Sequence, residues 1–243
     1  MMKKLVATTA ILLAVCSFAS ADVYIRTQSH TDPMTVMGQA QPAQDHTMET
    51  WIGSDVSATL AQDSSYIVDL KKNVFYIVSH KTRSYVESSL PLDFTKLLPP
   101  EAAAMAGMFK MTAKVTPTTE TRKIGQWNCT RYNVTMTIMG MNMQMTSWAS
   151  TEVPFDVSLY SAKLMGPVLK GQMHLDDASV QEMMKIKGYQ IASETVMEMM
   201  GAKVRTTTEV QEIAQKAPPA GTYAPPAGYA KKPSLSMQDL QER

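Results

Sequence analysis

The stretch Tyr132 to Trp148, YNVTMTIMGMNMQMTSW, constrains the fold more than any other part of the chain. Polar and apolar residues alternate on both sides of Gly140, which is the two-residue period of paired β-strands. A type II′ turn at Gly140-Met141 puts glycine at the first central position, where that turn requires it. This register opposes Ile138 to Met143, Met136 to Met145 and Val134 to Ser147. Opposed residues share a face of the sheet. Tyr132, Val134, Met136, Ile138, Met143 and Met145 therefore form an apolar face. Arg131, Asn133, Thr135, Thr137, Asn142, Gln144, Thr146 and Trp148 form the opposite, polar one. A hairpin with one dry side and one wet side belongs to an antiparallel sheet packed on a core. The dry side is made largely of methionine, a flexible and polarizable side chain that suits surfaces adapting to varied apolar partners.

The rest of the chain repeats the β pattern. Asp22 to Ser29 alternates, and Thr31 to Asp45, with Pro33, Gly38 and Pro42, reads as an irregular connection. Thr47 to Leu60 reads as two strands broken at Gly53-Ser54. Tyr66–Leu70 and Val74–Ser79 form a hairpin across Lys71-Lys72-Asn73, with Ile67, Phe75 and Ile77 on one face and Tyr66, Val68, Tyr76 and Val78 on the other. Two apolar faces predict a strand pair covered on both sides. Further strands are expected at Arg83–Ser88, Met111–Val115 and Arg122–Ile124. Leu90–Phe109 has a helical period, and Val157–Lys170 and Asp177–Lys187 read as helices. Asp176 or Asp177 caps the last of these and Gly188 stops it. A second hairpin spans Tyr189–Ile213, and a turn at Gly201-Ala202 sets Met199 opposite Val204 and Met197 opposite Thr206. The expected fold is mainly β with inserted helices: a strongly curved antiparallel sheet, lidded by helices, in one domain at 22–215. Residues 216–243 are a Pro/Ala-rich tail in which Pro226–Tyr229 docks and Lys231 onward reads as disordered.

The first 21 residues read as a secretory signal. Lys3 and Lys4 precede an apolar run, Leu5 to Phe18, and Ala19-Ser20-Ala21 is an A-x-A cleavage site. The apolar run is too short to span a bilayer, and no later segment is apolar enough to do so. The mature chain is then expected to start at Asp22 in the periplasm. Cys16 offers the competing lipoprotein start, although the residue before it, Val15, is larger than such signals prefer. The formal charge of +1 gives none of the basic bias of a nucleic-acid binder. Cys129 is the one cysteine left after cleavage, and it reads as a small buried apolar residue.

No enzyme is expected. The four histidines, at 30, 46, 80 and 174, lack ligand spacing. There is no nucleophile motif and no phosphate-binding glycine loop. No cofactor is implied. The methionines leave three readings open. They fill a core, or they line an adaptable apolar cavity, or their soft sulfurs hold Cu(I). The cavity reading takes as its lining Met105 and Met108 on a helix, Met136, Ile138, Met143 and Met145 on the first hairpin, and Met197 and Met199 on the second. A lipid-like or other apolar small molecule is then the partner, with envelope proteins left open as others.

Four stretches carry a family likeness: His30-Thr-Asp32 with Met37-Gly-Gln39 and Trp51-Ile-Gly53; Ile67 to Tyr76 with Arg83-Ser-Tyr85; Val115 to Thr118 with Lys123 to Tyr132 and Trp148; and Pro219 to Tyr223 with Pro226 to Tyr229. In order and spacing the chain resembles an exported bacterial domain-of-unknown-function family that looks LolA-like, of the outer-membrane lipoprotein carrier type. The resemblance implies a half-barrel whose concavity is lidded by helices and, in the carriers, holds acyl chains. The carriers' lipoprotein-binding residues find no matching positions here, and no catalytic residue is implied.

Overall fold

The computed structural model describes residues 21–36, 38–106, 111–138, 141–166, 175–199, 202–236 and 238–239. The strands are β1 Asp22–Thr31, β2 Met34–Val36, β3 Gln39–Gln41, β4 Gln44–Ile52, β5 Val56–Leu60, β6 Ser64–Asp69, β7 Val74–Ser79 and β8 Ser84–Ser89, then β9 Met111–Ile124, β10 Trp127–Ile138, β11 Met141–Ser150, β12 Tyr189–Met199, β13 Ala202–Lys216 and β14 Ala230–Lys232. All but β2 and β3 join one twelve-stranded sheet, in the order β14-β8-β7-β6-β5-β4-β1-β13-β12-β11-β10-β9. Only β14 runs parallel to its neighbour, β8. The end strands β14 and β9 do not pair with each other, so the sheet stays open. The helices are short: α1 Pro100–Ala106, α2 Val157–Tyr160 and α3 Asp177–Met183. No helix among the described residues is long and apolar enough to cross a membrane.

Both long hairpins close one residue earlier than the turn argument expects. Ile138 pairs with Met141, Met136 with Met143 and Val134 with Met145. In the second hairpin Met199 pairs with Ala202 and Met197 with Val204. The connecting residues, 139–140 and 200–201, lie outside the described residues. Shifting a two-residue connection by one position changes every partner but keeps parity, so the faces of the first hairpin survive. The observed register also opposes polar partners on the wet side. The Thr135 hydroxyl donates to Gln144 Oε1 at 3.0 Å, and the Thr137 hydroxyl to Asn142 Oδ1 at 2.8 Å.

The β6–β7 hairpin corrects the expected faces. Its loop holds four residues rather than three: Leu70 joins the turn, where its carbonyl accepts from Asn73 N and Asn73 takes φ 56°. An even loop opposes even-numbered to odd-numbered residues. Val68 therefore faces Phe75 and Tyr66 faces Ile77, while Ile67 shares the other side with Tyr76 and Val78. Both faces are covered. Phe75 and Ile77 sit in the main core, with Leu97, Tyr160 and Leu164 from the helical segments and Leu92 from the connection before them. Ile67 and Val78 sit beneath Tyr223 and Tyr229 of the C-terminal segment.

Helical segments among the described residues are broken up; residues 107–109 and 167–170 of the expected helices lie outside the described residues. Pro99-Pro100 splits Leu90–Phe109 into a 3-10 turn at Phe94–Leu97 and α1. α2 passes into a π-turn at Ser161–Met165. The Asp176 carboxylate caps α3 by accepting from Ser179 N at 2.7 Å. Gly188, at φ 99°, packs so tightly on β11 that a Cβ there would lie 2.4 Å from the Ser150 carbonyl oxygen. The two strands expected between 111 and 124 are one long edge strand, β9, and Pro117 is tolerated there because an edge has one unpaired side.

The tail also differs from expectation. Beyond the docked Tyr229, Ala230–Lys232 form β14, Leu235 is buried in the main core and Asp239 is 5% exposed. Residues 240–243 lie outside the described residues.

Candidate functional site

The dry face of β10 and β11 meets α3. Val134 and Met136 of β10 pack with Ala113 and Val115 of β9 and with Leu175, while Met143, Met145, Met183 and Ile186 close around them. Two backbone bonds explain why α3 lies there. Ala113 N donates to Ser179 Oγ at 3.0 Å and Val115 N to Glu182 Oε2 at 2.9 Å. These N–H groups lie on the open edge of β9, so α3 both roofs the methionines and satisfies the sheet edge.

Of the residues expected to line a cavity, Met136, Met143 and Met145 come together in this cluster. Met197 is half-buried opposite Met143, and Ile138 half-buried opposite Met111. Met105 lies in α1 and Met199 ends β12 opposite Ala202. Met108 falls outside the described residues. Met136 is 6% exposed. The cluster therefore packs as core at its centre, and space opens at its border.

That space is a cleft of about 530 Å³ between α2 and the end of α3, lined by Phe155, Val157, Met183, Met184, Ile186 and Gly188. Met183 and Ile186 belong at once to the cleft wall and to the methionine cluster. Phe155 also lines a second cleft of about 200 Å³, with Leu159, Tyr160 and Leu164. Phe155, which lines both, forms an aromatic triangle with Tyr160 and Tyr189, with ring centroids 5.5–6.3 Å apart. Burial pushes the Tyr189 phenol up to about 12 and Tyr160 higher still. Both stay neutral, and the charged groups at the larger cleft are Asp156 and Lys187. Met184 and Leu159 at the cleft mouths are 41% and 48% exposed, unusual for large apolar side chains in this molecule.

Sequence reasoning missed a polar groove of about 700 Å³ on the wet face of the methionine hairpin. It follows two rows of directly opposed residues: His30, Thr207, Glu194 and Thr146 in one, and Gln28, Glu209, Ala192, Trp148 and Arg131 in the other. Three ion or hydrogen-bonded pairs lie within it. Arg205 meets Glu194 at 2.7 Å, Arg131 meets Glu120 at 2.7 Å and His30 meets Asp45 at 2.8 Å. The Arg122 guanidinium rests 4.3 Å from the Trp148 ring centroid. The available signal was Trp148, a lone large aromatic on the polar face of the hairpin.

Among the described residues no three His, Cys, Asp or Glu side chains are placed to hold a metal. Cys129 is 1% exposed, and burial pushes its thiol up, away from the reactive thiolate.

No family model and no curated protein matches the chain. Among solved structures it is similar to one of PNGF-II, at 11% identity and a TM-score of 0.41, over 91% of this chain and 32% of that one. The chain thus spans about a third of the length of that structure, and the likeness is too distant to transfer any property.

Proposed function

We propose that this chain is an exported, periplasmic, non-catalytic binding protein for lipid-like or other apolar ligands, held in the α2–α3 cleft. The supporting observation is the cleft's composition. Phe155, Val157, Met183, Met184 and Ile186 form an apolar wall beside a methionine cluster, with Asp156 and Lys187 also lining the cleft as its charged groups. Small-molecule sites are commonly apolar concavities of roughly 300–1,000 Å³, and thioether walls accommodate chains of differing shape. The family resemblance to LolA-like carriers points the same way. Export follows from the signal-like first 21 residues, and cleavage after Ala21 would leave β1, which begins at Asp22, whole.

An environment-sensitive fluorescent fatty acid tests the reading. The folded protein should bind it saturably, and Met184→Asp, at an exposed position, should weaken binding by about tenfold or more. A folded wild type without saturable binding, or a variant with unchanged affinity, overturns it.

One observation favours a second reading, Cu(I) handling. Met136 lies opposite Met143, which lies opposite Met197, so three thioethers stand in register across β10, β11 and β12. Soft sulfur ligands select Cu(I). Replacing the three with leucine keeps apolar volume and deletes the ligand atoms. The variant should keep its affinity for the lipid probe under the first reading and lose Cu(I) under the second. Binding of neither probe by the wild type favours an envelope module with a filled core.

A further inference from the structure

The C-terminal segment crosses the second face of the β5–β7 region as a strap, and it does not fill the space beneath it. Ala58, Ile67 and Val78 are buried there, with Leu60 half-buried beside them. Between them and Pro219–Pro226 lies a cleft of about 300 Å³, walled on its remaining side by Trp51, Ser65 and His80. Two features of this cleft are unlike an ordinary packing gap. The Trp51 indole N–H is buried and has no acceptor among the described residues. An unpaired buried donor is strongly disfavoured. At the same wall a short polar relay is already assembled: Ser65 Oγ lies 2.7 Å from His80 Nε2, and His80 Nδ1 lies 3.1 Å from the Tyr229 hydroxyl.

We propose that this cleft is a binding site for a small, uncharged, mainly apolar molecule carrying one hydrogen-bond acceptor, such as a ketone or an ester, whose acceptor engages the Trp51 indole N–H. The apolar wall sets the body of the ligand, and the orphaned donor sets its acceptor. The Glu49 carboxylate, which lines the cleft and accepts from the Tyr24 hydroxyl at 2.8 Å, disfavours an anionic head group. Because the indole N–H is sealed from solvent, an entering ligand must displace part of the wall. The strap is the part without strand pairing: Pro219–Pro226 is held by turns, with Thr222 N donating to Pro219 O and Ala224 N to Gly221 O, and by one side-chain anchor, the Tyr223 hydroxyl donating to Asp22 Oδ2. This site lies apart from the α2–α3 cleft and stands or falls independently of the lipid reading.

The test follows the three tryptophan indole N–H resonances of the full mature chain by NMR, with Trp51 assigned through Trp51→Phe. The probes are 2-octanone, octanoate and octane. Saturable movement of the Trp51 resonance by 2-octanone is expected, with little response to octanoate or octane. Trp51→Phe should weaken 2-octanone binding by about tenfold, the loss of one hydrogen bond. Ala224→Trp, at a strap residue that lines the cleft, should fill it and abolish the response without altering any sheet residue. A Trp51 resonance indifferent to 2-octanone, an equal response to octane, or full binding by a folded Ala224→Trp protein overturns the proposal. None of these outcomes bears on fatty-acid binding at Met184.

Discussion

At the scale of the residue, position on the hairpin decides what a side chain contributes. Met136 and Gln144 sit on neighbouring strands at similar depth in the sequence pattern, yet they face opposite ways. Met136 is packed between Met143 and Ala113, whereas Gln144 is exposed and accepts from the Thr135 hydroxyl. Met136→Ala should destabilise the fold by about 2–5 kcal/mol, the loss of buried contacts plus the cavity left behind. Gln144→Ala should stay within about 0.5 kcal/mol. Urea unfolding of the two variants measures this, and equal effects would mean that the faces are misassigned. These faces were legible because a period of two is insensitive to where the turn falls. The turn itself was not legible. Glycine serves either central position of a tight turn, and the choice was settled by side-chain pairs across the strands, Thr135 with Gln144 and Thr137 with Asn142.

At the scale of the element, α3 is the piece that makes the site. Its start was readable from Asp176, a carboxylate ahead of a helical period. Its partner was not, because nothing local in Ser179 or Glu182 signals that they complete the edge of a strand more than sixty residues earlier. The same holds for the cleft, which needs Phe155 and Met184 side by side and so depends on tertiary contacts alone. Ser179→Ala leaves the Ala113 N–H buried without its acceptor, and the stability loss should be about 1–3 kcal/mol. Hydrogen exchange at Ala113 should rise with it, and by more than exchange in β6 and β7. Unchanged protection at Ala113 would show that α3 does not cap the edge. Stripped of its cap, β9 also presents bare N–H groups to other chains, so the variant should aggregate more readily than the parent.

At the scale of the whole molecule, the chain's last described residues fasten an edge of the sheet that composition alone leaves unassigned. A Pro/Ala/Gly-rich tail has no hydrophobic period, and its anchors, Tyr229, Leu235 and Asp239, are single residues. Two of its fastenings titrate. Burial holds His80 below its ordinary value of 6.5, partly opposed by the nearby Asp63 carboxylate. Burial alone would raise Asp239, but the donors around it outweigh that. Ser236 N and Oγ, the Thr82 hydroxyl and the Lys232 ammonium bring it from 3.8 down to about 2. Both shifts work in one direction with pH. A histidine kept neutral in the fold takes up its proton first in the unfolded chain, so stability falls as pH drops below 6.5 toward the folded value. A carboxylate held ionised adds stability above 3.8, which is lost as pH falls through to about 2. Acid should therefore loosen the strap in two stages. Protection factors at Ala230 N, which donates to Arg83 O at 3.0 Å, report on it. They should fall in a first step below pH 6.5 that His80→Gln removes, and in a second below pH 3.8 that Asp239→Asn removes, while the β10–β11 amides hold through the first. A single transition shared by all amides would mean that the strap has no separate equilibrium and unfolds only with the sheet.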